Sequence, residues 1–144
     1  MIRVRTLALI IFIAAVSVVS TMAEDLCYDK ADPALSKMKT WSELHSWYDK
    51  YLICDDGYFG EGLSEFVTAT LSKRWDTIDD LQVEISKNLK FKDFVLEHID
   101  ASVDENSLVI IIENTKKKGS PGLRPLYDEL RKRAQLALKE MNEN

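Results

Sequence analysis

Two histidines, His45 and His98, and two cysteines, Cys27 and Cys54, are the side chains best suited to chemistry in this chain. Histidine serves as a metal ligand or as a general acid and base near neutral pH. A helical metal site needs two of them one turn apart, as in H-x-x-x-H or H-E-x-x-H, and neither histidine has such a neighbour. Each lies one helical turn from core-type aromatic or aliphatic residues, which is the setting of a histidine at the edge of a core. No nucleophile elbow, phosphate-binding glycine loop or dinucleotide fingerprint is present. A Ser-His-Asp set is assembled in space, so the sequence leaves that arrangement open. The expectation is a protein that is not an enzyme, with no catalytic residues, no metal and no cofactor.

The cysteines take their meaning from the compartment. Met1 to Arg5 carry two arginines and no acid, and Leu7 to Val19 run apolar apart from Ser17. Ser20-Thr21-Met22-Ala23 then offers small residues where a signal peptidase reads, and Glu24-Asp25 follow. This is the pattern of a secretory signal over residues 1–23, cleaved after Ala23. The apolar run is short for a membrane anchor. Glu24-Asp25-Leu26 before Cys27 does not resemble a lipobox, so no stable membrane insertion is expected after cleavage. In an oxidising compartment an even pair of cysteines reads first as a disulfide, Cys27 to Cys54. Free thiols or a metal pair are the alternatives, and no His or third Cys lies close by in sequence.

Without residues 1–23 the chain has 17 basic and 24 acidic residues, a balance of −7. Such a chain is a poor partner for nucleic acid. The remaining 121 residues support one hydrophobic core, so residues 24–144 are expected to form a single helical domain.

The stretch Cys54 to Gly62 breaks the helical periodicity with Gly57, Gly60 and Gly62, and is read as a loop. It holds three carboxylates, Asp55, Asp56 and Glu61, and two aromatics, Tyr58 and Phe59, just after a cysteine. An anchored acidic and aromatic loop suits partner recognition, because rigid rings give contact area and carboxylates speed encounter with a basic cleft. The competing reading has Tyr58 and Phe59 packing inward while the acids solubilise the loop and favour the next helix. A calcium loop does not fit, since the D-x-D-x-D-G spacing is missing.

The surrounding elements all read as helices. Thr40 with Glu43 forms a capping-box signature ahead of Trp41, Leu44, Tyr48, Tyr51 and Leu52, with Trp47 flanking that stripe. Asp32-Pro33 opens a short turn carrying Leu35 and Met38. Leu63, Phe66, Val67, Thr70, Leu71, Arg74 and Trp75 mark a second helix. Ile78, Leu81, Ile85 and Leu89 mark a third, entered at Thr77, and Phe91, Phe94, Val95, His98 and Ile99 a fourth, antiparallel to it. Leu108 to Ile112 is β-branched and would suit a strand locally, but Asp104 with Ser107 caps it and Gly119 after Lys116-Lys117-Lys118 stops it, so a helix apolar on most sides is expected. Leu126, Tyr127, Leu130, Ala134, Ala137, Leu138 and Met141 form the last stripe. The fold class is therefore all-α, a compact bundle of about five helices with one disulfide.

The order of these features resembles the small periplasmic immunity proteins of type VI secretion effectors, the amidase-immunity families among them. The likeness lies in the signal, the early cysteine, the aromatic helix Trp41 to Leu52, Cys54-Asp55-Asp56-Gly57 running into Glu61-Gly62, the Trp75 helix end and the helices that follow. The resemblance implies an all-helical inhibitor in the periplasm that binds one effector toxin tightly, often as a homodimer, and performs no chemistry. This chain departs from it at Ser120-Pro121 and Leu126-Tyr127, where those proteins carry a second cysteine pair. A different function class, an acid- or envelope-stress chaperone, is consistent with the many carboxylates. A small-ligand carrier lined by Trp41, Trp47 and Trp75 is a third.

Overall fold

The computed structural model describes residues 27–117, 119 and 121–143. The expected signal segment 1–23 with its cleavage point, and Lys118 and Ser120, lie outside the described residues. Among those described there are seven α-helices and no strand, an all-α fold with two helices more than the expected five. They are α1 (Asp32–Ser36), α2 (Trp41–Tyr51), α3 (Gly57–Lys73), α4 (Ile78–Lys87), α5 (Leu89–Glu97), α6 (Glu105–Thr115) and α7 (Arg124–Glu143). A π-helical turn, Cys27–Ala31, leads into α1, and 3-10 turns occupy Leu52–Cys54, Trp75–Thr77 and Pro121–Leu123.

Local chemistry explains most boundaries. Thr40 Oγ1 accepts from the Glu43 N–H at 3.2 Å, and the Glu43 carboxylate accepts from the Thr40 N–H at 3.0 Å, so both halves of the capping box are made. Asp104 accepts from the Ser107 N–H at 2.8 Å and opens α6. Asn88 is extended, ends α4 and caps α5 by accepting from the Lys90 N–H at 3.1 Å. That reversal moves Leu89 off the α4 stripe on which it was expected and leaves it 71% exposed at the start of α5.

The helices close on one core. The most extensive pairing is α6 with α7, followed by α3 with α6, while α2 packs on α4, α4 on α5 and α1 on α3. Trp41, Leu44 and Trp47 of α2, Leu63, Val67 and Leu71 of α3, Phe91 of α5 and Leu130 of α7 are all buried. The helix over Leu108 to Ile112 is less enclosed than expected. Its Leu108 and Ile111 are buried, but Val109 is 42% exposed, because α3 and α7 cover only one side of it. The buried Asn114 on that helix donates to the Leu71 carbonyl at 3.0 Å, so a side chain of α6 terminates α3.

Candidate binding surface

The segment expected to be a loop is one only at Asp55 and Asp56. Gly57 to Gly62 form the opening turns of α3, which starts six residues earlier than the apolar periodicity indicated. Two of the three glycines there have a local reason that composition does not reveal. Gly57 has a φ of +48°, where glycine is favoured, and turns the chain into the helix. Gly62 faces α1, where a Cβ would come within 2.9 Å of Leu35 Cδ2. The glycines admit a sharp entry and a close helix contact, and the helix accepts their entropic cost.

A disulfide links Cys27 to Cys54 and ties the π-helical turn to the end of α2. Around it the five expected contact residues divide. Phe59 is buried at 6% exposure, between Tyr28 with ring centroids 6.0 Å apart and Trp47 at 6.4 Å, and so belongs to the core and not to an interface. Asp55 is tied down, its Oδ1 accepting from His98 Nε2 at 3.0 Å. Asp56, Tyr58 and Glu61 face outward. Tyr58 is 64% exposed, and its hydroxyl donates to Asp32 at 3.0 Å, which fixes the ring in direction and raises the phenol pKa.

Three further outward residues escaped the sequence reading. Tyr28 is 61% exposed, Leu52 48% and Ile53 74%. Leu52 had a place on the α2 stripe, but the helix ends at Tyr51, whose φ of −130° and ψ of 16° tighten the chain into a 3-10 turn. Of Leu52-Ile53-Cys54 only the disulfide half turns inward, with Cys54 4% exposed. Tyr28 and Ile53 are each next to a bonded cysteine and Leu52 is two residues from one, while Tyr58 is linked to Tyr28 through the ring of Phe59, which contacts both. Surface apolar residues are ordinary singly, whereas a group of them marks a contact region.

Both histidines are buried and both are bonded to carboxylates. His45 Nδ1 lies 2.8 Å from Glu84 Oε2, and its ring stacks on Phe91 with centroids 4.4 Å apart. Desolvation opposes the Glu84 charge, but the hydrogen bonds from Lys87 and His45 hold its pKa below the ordinary value. His98 uses both ring nitrogens against acceptors, Nδ1 to the Phe94 carbonyl at 2.8 Å and Nε2 to Asp55. Both bonds are made together only when both nitrogens carry protons. Burial works against that charge, yet the Asp55 and Phe94 bonds outweigh it and raise the His98 pKa. Neither ring nitrogen of His98 is left to take a proton from a hydroxyl, and Ser64 donates instead to Asp100 at 2.7 Å. His98 is thus a cross-link between the end of α5 and the disulfide.

No protein-family model, curated protein or solved structure matches this chain. The three tryptophans sit apart: Trp47 donates to the Ala31 carbonyl at 3.1 Å, Trp75 packs on Tyr127 at 5.1 Å, and Trp41 edges a recess of about 270 Å³ beside Arg74. A wider groove of about 1150 Å³ runs along α3, with Tyr58 and Glu61 at one end.

A pH dependence follows from the His98 bridge. A group whose pKa is raised on folding stabilises fully below its unfolded value, 6.5 for this histidine, and the contribution is lost as pH rises through the higher folded value. Glu84 and Asp100, with lowered pKa values, act in the opposite sense and lose their contribution in acid. His98→Gln is expected to destabilise the protein by about 1.5–3 kcal/mol below pH ~6, the scale of a charged hydrogen bond. In urea titrations that difference should shrink as the buffer becomes alkaline. A difference constant with pH would show that the bridge carries no proton of its own.

Proposed function

We propose that the mature chain is a periplasmic immunity protein that binds an envelope-directed effector toxin, a cell-wall-degrading amidase being the first candidate, and blocks it without catalysis. The observation that carries this reading is the outward group Tyr28, Leu52, Ile53 and Tyr58 around the Cys27–Cys54 disulfide, with Asp56 exposed beside it. Apolar and aromatic residues on a covalently held frame lose little freedom on binding, and a rim carboxylate steers a basic cleft toward them. The resemblance to the type VI immunity proteins supplies the partner class. Secretion is supported by the signal pattern over residues 1–23 and by the disulfide.

The test is capture of the partner from the source cells, followed by affinity measurement with surface variants. Ile53→Asp and Tyr58→Ala should each weaken binding by about 2 kcal/mol, the usual threshold for a hot spot. Toxicity in the periplasm should return when the gene is deleted. Unchanged affinity in both variants would remove this surface from the reading.

The alternative of an acid-responsive envelope chaperone draws support from Glu84 and Asp100, two partly or fully buried carboxylates whose lowered pKa values make them stabilisers that acid removes. Circular dichroism with a hydrophobic dye from pH ~7 to ~2, where carboxylates titrate, separates the two readings. Reversible opening with protection of client proteins favours the chaperone, and a fold that holds favours the inhibitor.

A further inference from the structure

The groove along α3 has a composition that the disulfide end does not share. Its lining mixes apolar side chains, Leu35 of α1, Phe66 and Ala69 of α3 and Ile110 of α6, with polar ones such as Ser72 and Asn106. Its borders carry four carboxylates, Asp32, Glu61, Glu65 and Asp104, against a single ammonium, Lys73. Tyr58 to Lys73 all belong to α3, and at a rise of about 1.5 Å per residue the groove follows that helix for roughly 20 Å. Gly62 keeps the floor open where α1 meets α3, since a side chain there would press on Leu35.

The carboxylates differ in what they already do. Asp104 caps α6, and Asp32 accepts from Tyr58. Glu61 and Glu65 are both exposed, stand one turn apart on the same face of α3, and among the described residues neither side chain meets a cation. Elsewhere Glu84 is paired with Lys87, Glu113 with Lys116, Glu129 with Lys92 and Asp128 with Arg131. Two like charges four residues apart disfavour an isolated helix, and among the described residues no ion pair offsets them. A groove of mixed lining with Glu61 and Glu65 on its edge is complementary to a chain segment that carries apolar residues on one side and lysine or arginine on the flanks.

We infer that this groove is a docking site for a cationic amphipathic segment of a protein partner. A second copy of this chain is a poor occupant, because with residues 1–23 removed it carries 17 basic against 24 acidic residues and would bring like charge to like. The inference deepens the immunity reading by naming the kind of partner element, but the groove residues other than Tyr58 are separate from the disulfide group. Disruption of one surface can therefore be read independently of the other.

The experiment uses the full chain and a labelled helical peptide of alternating Leu and Lys faces, with a Leu/Glu peptide as its counterpart, followed by fluorescence anisotropy. The Leu/Lys peptide should bind in low salt, weaken with added salt, and lose about tenfold or more in affinity in the E61K/E65K double variant. E61Q/E65Q should fall between. D79K/D80K on α4, which does not border the groove, should leave peptide binding unchanged. Circular dichroism checks that each variant folds. Binding lost equally in D79K/D80K, equal binding of the Leu/Glu peptide, or no binding in low salt would overturn the proposal. So would a dimer of the chain that E61K/E65K dissolves, since the groove would then belong to a second copy.

Discussion

Trp47→Ala is expected to destabilise the fold by about 3–5 kcal/mol, the range for removing a large buried aromatic. Trp47 is 1% exposed and stands between Tyr51 and Phe59, with ring centroids at 6.0 and 6.4 Å. Its indole N–H donates to the carbonyl of Ala31, itself fully buried. The substitution would open a cavity and leave that carbonyl without its partner, two costs that add. A domain stable by roughly 5–15 kcal/mol would lose a large part of its margin. Trp47→Phe keeps most of the packing and removes only the bond, so its cost should be nearer about 1–2 kcal/mol. Urea midpoints measured on both variants decide the matter, and a loss below about 1 kcal/mol for the alanine variant would mean that the π-helical turn does not depend on this side chain.

Removing the disulfide by Cys27→Ser with Cys54→Ser is expected to cost about 3.5 kcal/mol, from the chain entropy released when a cross-link spanning 27 residues is cut. The loss falls chiefly on the unfolded state, so the helices should keep their circular dichroism while the urea midpoint drops. Binding at the disulfide end should suffer more than stability alone implies, because Tyr28 and Ile53 are each adjacent to a bonded cysteine. Trp47 and the disulfide hold the same five-residue turn, Cys27–Ala31, from its two ends. Their effects should be non-additive in a double-mutant cycle, with a coupling of about 0.5–3 kcal/mol. Simple additivity would place the two constraints on independent parts of the structure. A midpoint unchanged by reduction would place the anchor of this end in the helix packing alone.

How much of this was legible beforehand depended on the range of the interaction. The capping box at Thr40 and Glu43, the Asp104 cap, the buried stripe of α7 and the cysteine pair are visible in the sequence because each rests on a few neighbouring residues or on residue type. Gly57, Gly60 and Gly62 were misleading for the same reason. Local propensity counts their entropic cost but does not register that α3 needs a positive φ at its first residue and no side chain where Leu35 packs. Leu89 and Leu52 left their predicted stripes because a cap and a 3-10 turn, each set by backbone geometry, rotated them outward.

The candidate surfaces divide along the same line. From the sequence alone came the helical class, the disulfide and the acidic aromatic stretch after it, all carried by periodicity and composition. Tertiary structure decided which of those residues are available: Phe59 went into the core against Trp47, and Asp55 was taken by His98, 43 residues away. It also brought α1, α3 and α6 together around a groove that joins Glu61 to Glu65, a residue unremarkable in the linear chain. Burial and charge pairing are properties of distant residues meeting, and helical periodicity carries no information about which helices will meet.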